Sequence, residues 1–135
     1  MNSSEAFAAI ALAAVGCDGI LDRQEARALR IQLDGRTPYR DLSDQDMVTM
    51  FDKHLQSLRD EGWQALVTSA IPVLSEAQQE TALAMAAHLV HCNRKVTSVE
   101  IDMLQSISDQ MRVSKQKCHI ILDVIRILNC DSLAE

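Results

Sequence analysis

The stretch Ala6–Cys17 constrains the fold more than any other part of this sequence, because it is apolar on nearly every side. A helix with such a surface has to be covered from several directions by other elements. The stretch is too short to span a bilayer, and Glu5 rather than a basic segment precedes it. We therefore predict a buried helix over Ser4–Gly16, and neither a signal peptide nor a membrane span.

Composition extends this prediction to the whole chain. The 135 residues are 47% hydrophobic but only 3% aromatic, with 4 Gly and 2 Pro. The core must then come mainly from Ala, Leu, Ile, Val and Met, mostly good helix formers, and little turn material remains for a sandwich or barrel. The length suits one domain. The sequence predicts a single domain over residues 1–135, an all-α compact array of about seven helices.

Capping residues and prolines place the other helices. Ser75 and Gln78 have the spacing of a capping box, and Pro72 limits the short helix before them. No heptad pattern persists, so we expect a compact array rather than a long coiled coil. The six further helices are predicted to begin near Asp22, Ser43, Trp63, Glu76, Thr97 and Ser114.

Helical spacing of apolar residues predicts the buried face of each helix. His54 and His119 fall on polar or boundary positions, and Trp63 is expected to anchor the core rather than bind a partner. The third helix is expected to bury Met47, Val48, Phe51, Leu55 and Leu58, the sixth Ile101, Leu104, Ile107 and Met111, and the seventh Cys118, Ile121, Leu122, Ile125 and Leu128.

The two halves of the chain share one order of elements: an Ala-rich helix, a polar turn and an amphipathic helix. This order appears when Cys17 is placed on Cys92. The sequence therefore predicts a pseudo-two-fold repeat with two buried helices paired at the centre. The positions that coincide are Asp22 with Thr97, Glu25 with Glu100, and Leu29 with Leu104.

The net charge of the chain and the placement of its cysteines indicate which binding partners and which cellular compartment to expect. The formal net charge is -6 and the sequence pI is about 5.1, which argues against nonspecific binding to nucleic acid. The cysteines show no C-x-x-C spacing and lie in apolar helical patterns, where a free Cys usually packs as a small hydrophobe. They are Cys17, Cys92, Cys118 and Cys130. A reducing, cytoplasmic compartment is expected.

The turn between the first two helices gathers three carboxylates, Asp18, Asp22 and Glu25. Calcium and magnesium prefer clustered oxygen ligands, and Gly19 permits a tight backbone turn. The same residues also fit a helix start, since Asp22 and Glu25 have capping-box spacing. Both interpretations can hold at once, whereas the ligand spacing of an EF-hand is absent.

The motif at this turn, Asp18-Gly19-x-Leu21-Asp22-x-x-Glu25-Ala26, follows an Ala-rich helix and is echoed by Asn93-x-x-Val96-Thr97-x-x-Glu100. This arrangement, over roughly residues 7–111, resembles the TerB-like family. The resemblance implies an all-helical fold and an association with bacterial tellurite-resistance and stress-response operons. It also implies metal-binding acidic positions, which carry over to Asp18, Asp22 and Glu25.

The second turn departs from the family pattern. Asn93 and Arg94 replace the Asp and Gly of the first turn, and Lys95 adds a positive charge. A cation site there is expected to be weak or absent, because affinity depends on ligand charge. Glu100 is left either as a helix cap or as a ligand that completes one shared site if the two halves meet.

Nitrogen and sulfur ligands for zinc form a further hypothesis. His88, His91 and Cys92 lie at spacings that can share a helix face, and the repeat would bring Cys17 near them. Core packing is the competing interpretation. The sequence shows neither an arranged nucleophile nor a glycine-rich phosphate loop, so an enzyme is not favoured.

Together these features predict a non-catalytic protein that binds a divalent cation at the acidic turn and engages protein partners. Nucleic-acid binding and direct membrane insertion are not expected, while association with a membrane protein and the oligomeric state stay open. The alternatives are a helical interaction module without metal and a metal-dependent enzyme.

Basic residues of the last helices form either a docking face for an acidic partner or a solvated surface. They are Arg112, Lys115, Lys117 and Arg126.

Overall fold

The computed structural model describes residues 1–17, 21–92 and 95–135. Within these ranges it contains seven α-helices, two 3-10 turns at Tyr39–Asp41 and Ile71–Val73, and no strand. The helices are α1 (Ser3–Gly16), α2 (Arg23–Asp34), α3 (Asp44–Glu61), α4 (Trp63–Ala70), α5 (Glu76–His91), α6 (Ser98–Gln110) and α7 (Lys115–Leu128). The predicted all-α class is confirmed. No helix in the described part of the chain is long and apolar enough to cross a membrane.

Helix α1 lies at the centre of the fold. Every residue from Ala8 to Gly16 is buried, and α2, α3, α4, α5 and α6 all contact the helix. Its alanines let neighbouring helices approach closely, and a Cβ atom added at Gly16 would lie 3.1 Å from Cδ2 of Leu58 in α3. The predicted burial of this segment is confirmed.

Helix α5 is the second buried helix and packs against both α1 and α7. Its core residues are again mostly small or aliphatic; they include Ala82, Leu83, Met85, Ala86, Ala87, Leu89 and Val90. Two apolar helices therefore pair inside the array. The predicted pseudo-two-fold relation between the halves stays a prediction.

Reciprocal capping boxes define where four of the described helices begin, namely α1, α2, α5 and α6. The boxes predicted at Asp22 and Ser75 are confirmed. A further box, between Asn2 and Glu5 at the start of α1, was not predicted. Such caps satisfy backbone N–H groups that have no partner within the helix.

Several predicted inner-face positions are wrong. Val48 is 46% exposed, Ile101 56% and Leu128 68%, whereas His54 is only 2% exposed. Successive residues on a helix point about 100° apart, so α3, which buries Met47, turns the adjacent Val48 toward solvent. The buried residues of α3 are Met47, His54 and Leu58.

The cysteines were expected in the core, and this holds only for Cys118. Cys17 is half-buried, and Cys92 and Cys130 are exposed. These three residues directly follow or lie just beyond helix ends, where the chain reaches the surface. Trp63, in contrast, packs against the core as predicted.

Candidate functional site

The starts of α2 and α6 meet at one small cleft of about 110 Å³. Its other walls come from the last turn of α1 and the end of α5. Asp22, Glu25 and Glu100 all line it, so a carboxylate from the start of α6 shares a cleft with those from the start of α2. Asp18, the other predicted ligand, lies outside the described residues.

All three of these carboxylates cap helices. The Glu25 N–H donates to Oδ1 of Asp22 at 2.7 Å, and the Asp22 N–H donates to Oε1 of Glu25 at 3.3 Å. At the second turn the Thr97 N–H donates to Oε1 of Glu100 at 2.9 Å. Helix capping therefore accounts for the positions of these acidic side chains without a ligand.

Metal-ligand geometry is not assembled in the part of the chain that the structure describes. No group of three or more His, Cys, Asp and Glu side chains in residues 1–17, 21–92 and 95–135 is placed to hold a metal ion. The proposed zinc set of Cys17, His88, His91 and Cys92 is thus not brought together as a site. Cation binding at the acidic cleft stays a prediction.

His88 instead links α5 to the end of α7. Its Nε2 atom lies 3.6 Å from Sγ of Cys92, and its Nδ1 atom lies 3.2 Å from Nδ2 of Asn129. The order Cys, His, Asn matches the parts of a cysteine-nucleophile site. However, burial raises the pKa of the Cys92 thiol, whereas a nucleophilic cysteine needs a lowered pKa. The negative end of the α5 dipole also opposes a thiolate there.

A concave surface with a volume of about 980 Å³ lies between α6 and α7. We call it the α6–α7 groove. Its apolar lining residues are Val96, Ile101, Leu104, Ile120 and Leu122, and its polar lining residues include His91, Lys115, His119, Asp123 and Arg126. An apolar surface with a few polar groups is the usual character of a binding site.

Two large aliphatic side chains in this groove are open to solvent. Ile101 and Ile120 are each 56% exposed. Further along α7, Val124, Ile127 and Leu128 are between 55% and 68% exposed. Apolar residues that a monomer leaves uncovered in one patch commonly mark an interaction surface.

Charge in the α6–α7 groove is mixed but mainly basic. Arg126 donates to Oδ1 of Asp123 at 2.9 Å, and Lys115 stands at the start of α7. Burial, followed by the positive charge of Arg126, lowers the pKa of His91. Of the basic residues noted in the sequence, Lys115 and Arg126 border this apolar surface. Arg112 instead donates to the Leu74 carbonyl, and Lys117 pairs with Glu80 at 2.9 Å.

The sequence analysis missed the exposed apolar face of α7, from which Ile120 lines the α6–α7 groove, although a signal was present. Cys118, Ile121, Leu122 and Ile125 were assigned to the inner face of α7, and the structure packs them against the rest of the fold. Ile120, Val124 and Ile127 then remain as a second apolar face on the same helix. A helix with apolar residues on two faces has to be covered from two sides.

A second cavity, of about 410 Å³, lies between the start of α1, the segment around Pro38 and the start of α5. The rings of Phe7 and Tyr39 stack with centroids 6.4 Å apart, and the Tyr39 hydroxyl donates to the Ser4 carbonyl. Burial raises the pKa of Tyr39 to about 12. No charged side chain stands among its lining residues, so it offers less chemistry than the groove.

Comparison of the chain with protein-family models, with curated proteins and with solved structures found no match in any of the three. The function therefore has to be argued from the molecule itself.

Proposed function

We propose that this protein is a non-catalytic helical interaction module, and that the α6–α7 groove binds an apolar helix of a protein partner. The observation that carries this proposal is the exposure of Ile101 and Ile120 in a groove of about 980 Å³. An amphipathic helix laid into an apolar groove is a common mode of peptide recognition.

The chemistry of the groove defines the partner. The exposed isoleucines would contact aliphatic side chains spaced three and four residues apart on the partner helix. Lys115 and Arg126 line the same groove. Acidic residues next to the aliphatic side chains of the partner helix would therefore complement the charge of the groove. Such charge pairs mainly set orientation and association rate, and the buried apolar contacts supply the affinity.

The test is a comparison of two exposed isoleucines. Ile120 lies in the groove, whereas Ile31, 64% exposed on α2, lies outside it. Proteins retained from a lysate by tagged wild-type protein should also be retained by Ile31→Glu, but lost with Ile120→Glu. A carboxylate placed in the apolar contact should weaken binding by about 2 kcal/mol or more, roughly 30-fold.

Identical sets of retained proteins for wild type and both variants would contradict the proposal. Far-ultraviolet circular dichroism of each variant would verify that the helices are intact. Both substitutions are at exposed sites and should leave the fold unchanged.

The resemblance to the TerB-like family supports the same general proposal. A module without catalytic machinery fits an adaptor in a bacterial stress response, acting in the cytoplasm, with or without a membrane-protein partner. Kinship with that family, the pseudo-two-fold repeat and the link to tellurite resistance are part of this proposal. Fold alone does not define a reaction.

Divalent-cation binding is a second candidate function, favoured by one observation. Asp22 and Glu25 lie at the start of α2, Glu100 lies at the start of α6, and all three line the same cleft. A cation there would bring together the starts of α2 and α6, and Asp18 is the further ligand that the family resemblance implies. Oxygen ligands of this type suit calcium or magnesium rather than zinc.

Calorimetric titration of the metal-free protein with calcium, magnesium, manganese and zinc tests this candidate. Asp22→Asn is the informative variant, because Asn caps a helix as well as Asp but lacks the charge. Asp52→Asn, at an exposed position on α3, is the control. Saturable heat that persists in Asp52→Asn and is lost in Asp22→Asn would support the site, and absence of heat in wild type would reject it.

A further inference from the structure

The cavity of about 410 Å³ lies between the start of α1, the segment around Pro38 and the start of α5. We call it the α1–α5 cavity. Its volume falls in the range of pockets that hold small molecules, about 300–1,000 Å³. Because three separate elements form its walls, the shape of the cavity is set by tertiary packing and not by one loop.

The buried part of the lining is apolar and aromatic. Tyr39 and Leu74 are 3% and 1% exposed. The Tyr39 ring stacks on Phe7, and its hydroxyl donates to the Ser4 carbonyl. Burial raises the pKa of Tyr39 to about 12, so the phenol stays neutral at physiological pH. The two rings thus present an uncharged wall, against which another ring packs in offset or edge-to-face geometry.

The exposed part of the lining supplies hydrogen-bonding groups without charge. The hydroxyls of Ser3 and Thr37 have no partner among residues 1–17, 21–92 and 95–135. The Gln78 Oε1 atom accepts the Ser75 N–H at 2.9 Å, so only the Nε2 group of Gln78 remains to donate. No described lining residue is charged. An ion that entered the cavity would therefore lose hydration without gaining an opposite charge.

We infer that the α1–α5 cavity binds a small, uncharged aromatic molecule with hydroxyl or amide groups on its periphery. The ring would pack against Phe7 and Tyr39, and the peripheral groups would bond to Ser3, Thr37 and Gln78. Aromatic contact supplies the affinity of such a site, and the few polar groups set the orientation of the ligand. The inference is independent of the proposed function, because the cavity and the α6–α7 groove share no lining residue.

Nuclear magnetic resonance of protein with isotopically labelled tyrosine and tryptophan is the first test. Tyr39 is the single tyrosine and Trp63 the single tryptophan of the chain, and only Tyr39 lines the cavity. Phenol, benzamide and indole should each move the Tyr39 signals saturably, with dissociation constants on the order of 1 mM for molecules of this size. The Trp63 signals should stay in place.

Benzoate distinguishes an uncharged site from a general affinity for rings, since it has the shape of benzamide but carries a charge. It should bind at least about tenfold more weakly than benzamide. Tyr39 signals that respond to none of the three neutral probes, or that respond equally to benzoate and benzamide, would overturn the inference.

Two threonines provide matched variants. Thr81 lines the α1–α5 cavity, whereas Thr49 is exposed on α3 and lies outside it. Each hydroxyl donates to the carbonyl four residues earlier, at 3.2 Å for Thr81 and 2.9 Å for Thr49. Both substitutions are at exposed sites and should leave the fold unchanged, which circular dichroism would verify.

Thr81→Phe should fill the cavity and abolish the response of the Tyr39 signals to benzamide, while Thr49→Phe should retain that response. A response that survives in Thr81→Phe, or one that is lost equally in Thr49→Phe, would overturn the inference. Neither result would bear on a protein partner captured through Ile120, so the two proposals can fail separately.

Discussion

Replacing Gln79 by methionine is expected to lower the free energy of unfolding by about 3 kcal/mol, even though the new side chain is similar in size and apolar. Gln79 is 1% exposed in α5. Its Nε2 group donates to the carbonyls of Ile71 and Leu74 at 3.0 and 3.2 Å, and its Oε1 atom accepts the Arg112 N–H at 2.9 Å. One side chain thus serves three backbone groups.

The physical reason is that methionine removes these bonds while leaving the backbone groups in place. A buried group that loses its partner costs about 1–3 kcal/mol. The Leu74 carbonyl keeps the bond donated by the Arg112 side chain, and the Ile71 carbonyl keeps the bond donated by the Leu74 N–H at 3.1 Å. The Arg112 N–H should therefore account for most of the loss. Chemical denaturation monitored by circular dichroism would measure it.

Gln56→Met is the matched control for this prediction. Gln56 also uses its side-chain amide, donating to Asp60 at 2.9 Å, but it is exposed on α3. Water can replace that bond, so this variant should change stability by less than about 0.5 kcal/mol. Equal losses for the two variants would show that the bonds of Gln79 contribute nothing specific.

Acidification below about pH 6.5 is expected to destabilise the protein through His54. The free energy of unfolding should fall by up to about 1.4 kcal/mol for each pH unit. Burial lowers the pKa of His54, while Glu5, through its backbone and its charge, opposes that shift and Lys53 adds to it. The Nε2 atom of His54 is buried and has no hydrogen-bond partner among the residues that the structure describes, so a proton there would have no acceptor from them.

The direction follows from the lowered pKa. Above pH 6.5 both the folded and the unfolded chain hold His54 neutral, and its contribution is constant. As the pH falls below that value, the unfolded chain takes up a proton that the folded chain resists, so the free energy of unfolding falls. The loss stops once the pH has passed the lower pKa of the folded state.

His54→Leu separates this effect from general acid denaturation. The variant removes the buried unpaired nitrogen, so it should be at least as stable as wild type at pH 7.5. Its melting temperature should fall less than that of wild type between pH 7.5 and pH 5. His91, whose pKa burial also lowers, keeps a residual slope in both proteins. If the melting temperature fell equally with pH in wild type and in His54→Leu, His54 would be excluded as a source of acid sensitivity.

Local sequence was sufficient to predict the helices. Ser43, Ser75 and Ser114 all cap helices at the predicted positions, because capping depends on residues only three positions apart. The buried face of each helix was harder to predict than its position in the sequence. The burial of His54 and the exposure of Val48 and Ile101 depend on which neighbour packs against each side of the helix, and no local pattern contains that information.

The candidate sites divide in the same way. The capping roles of Asp22 and Glu25 could be predicted from their spacing, whereas the position of Glu100 in the same cleft follows from tertiary packing of α1, α2, α5 and α6. The α6–α7 groove was missed because Ile101 had been assigned to the core. Apolar periodicity alone does not distinguish a face that covers the core from one that awaits a partner.

The central place of α1 has a consequence for the newly made chain. The ribosome synthesises α1 before every helix that covers it, and its pairing with α5 requires the chain to be extended to about residue 91. Until then only α2, α3 and α4 are available to pack against α1, and the face that α5 covers stays exposed. The nascent protein therefore presents this apolar segment before the helix that pairs with it, and chaperones that act during translation would meet α1 before its contact with α5 can form.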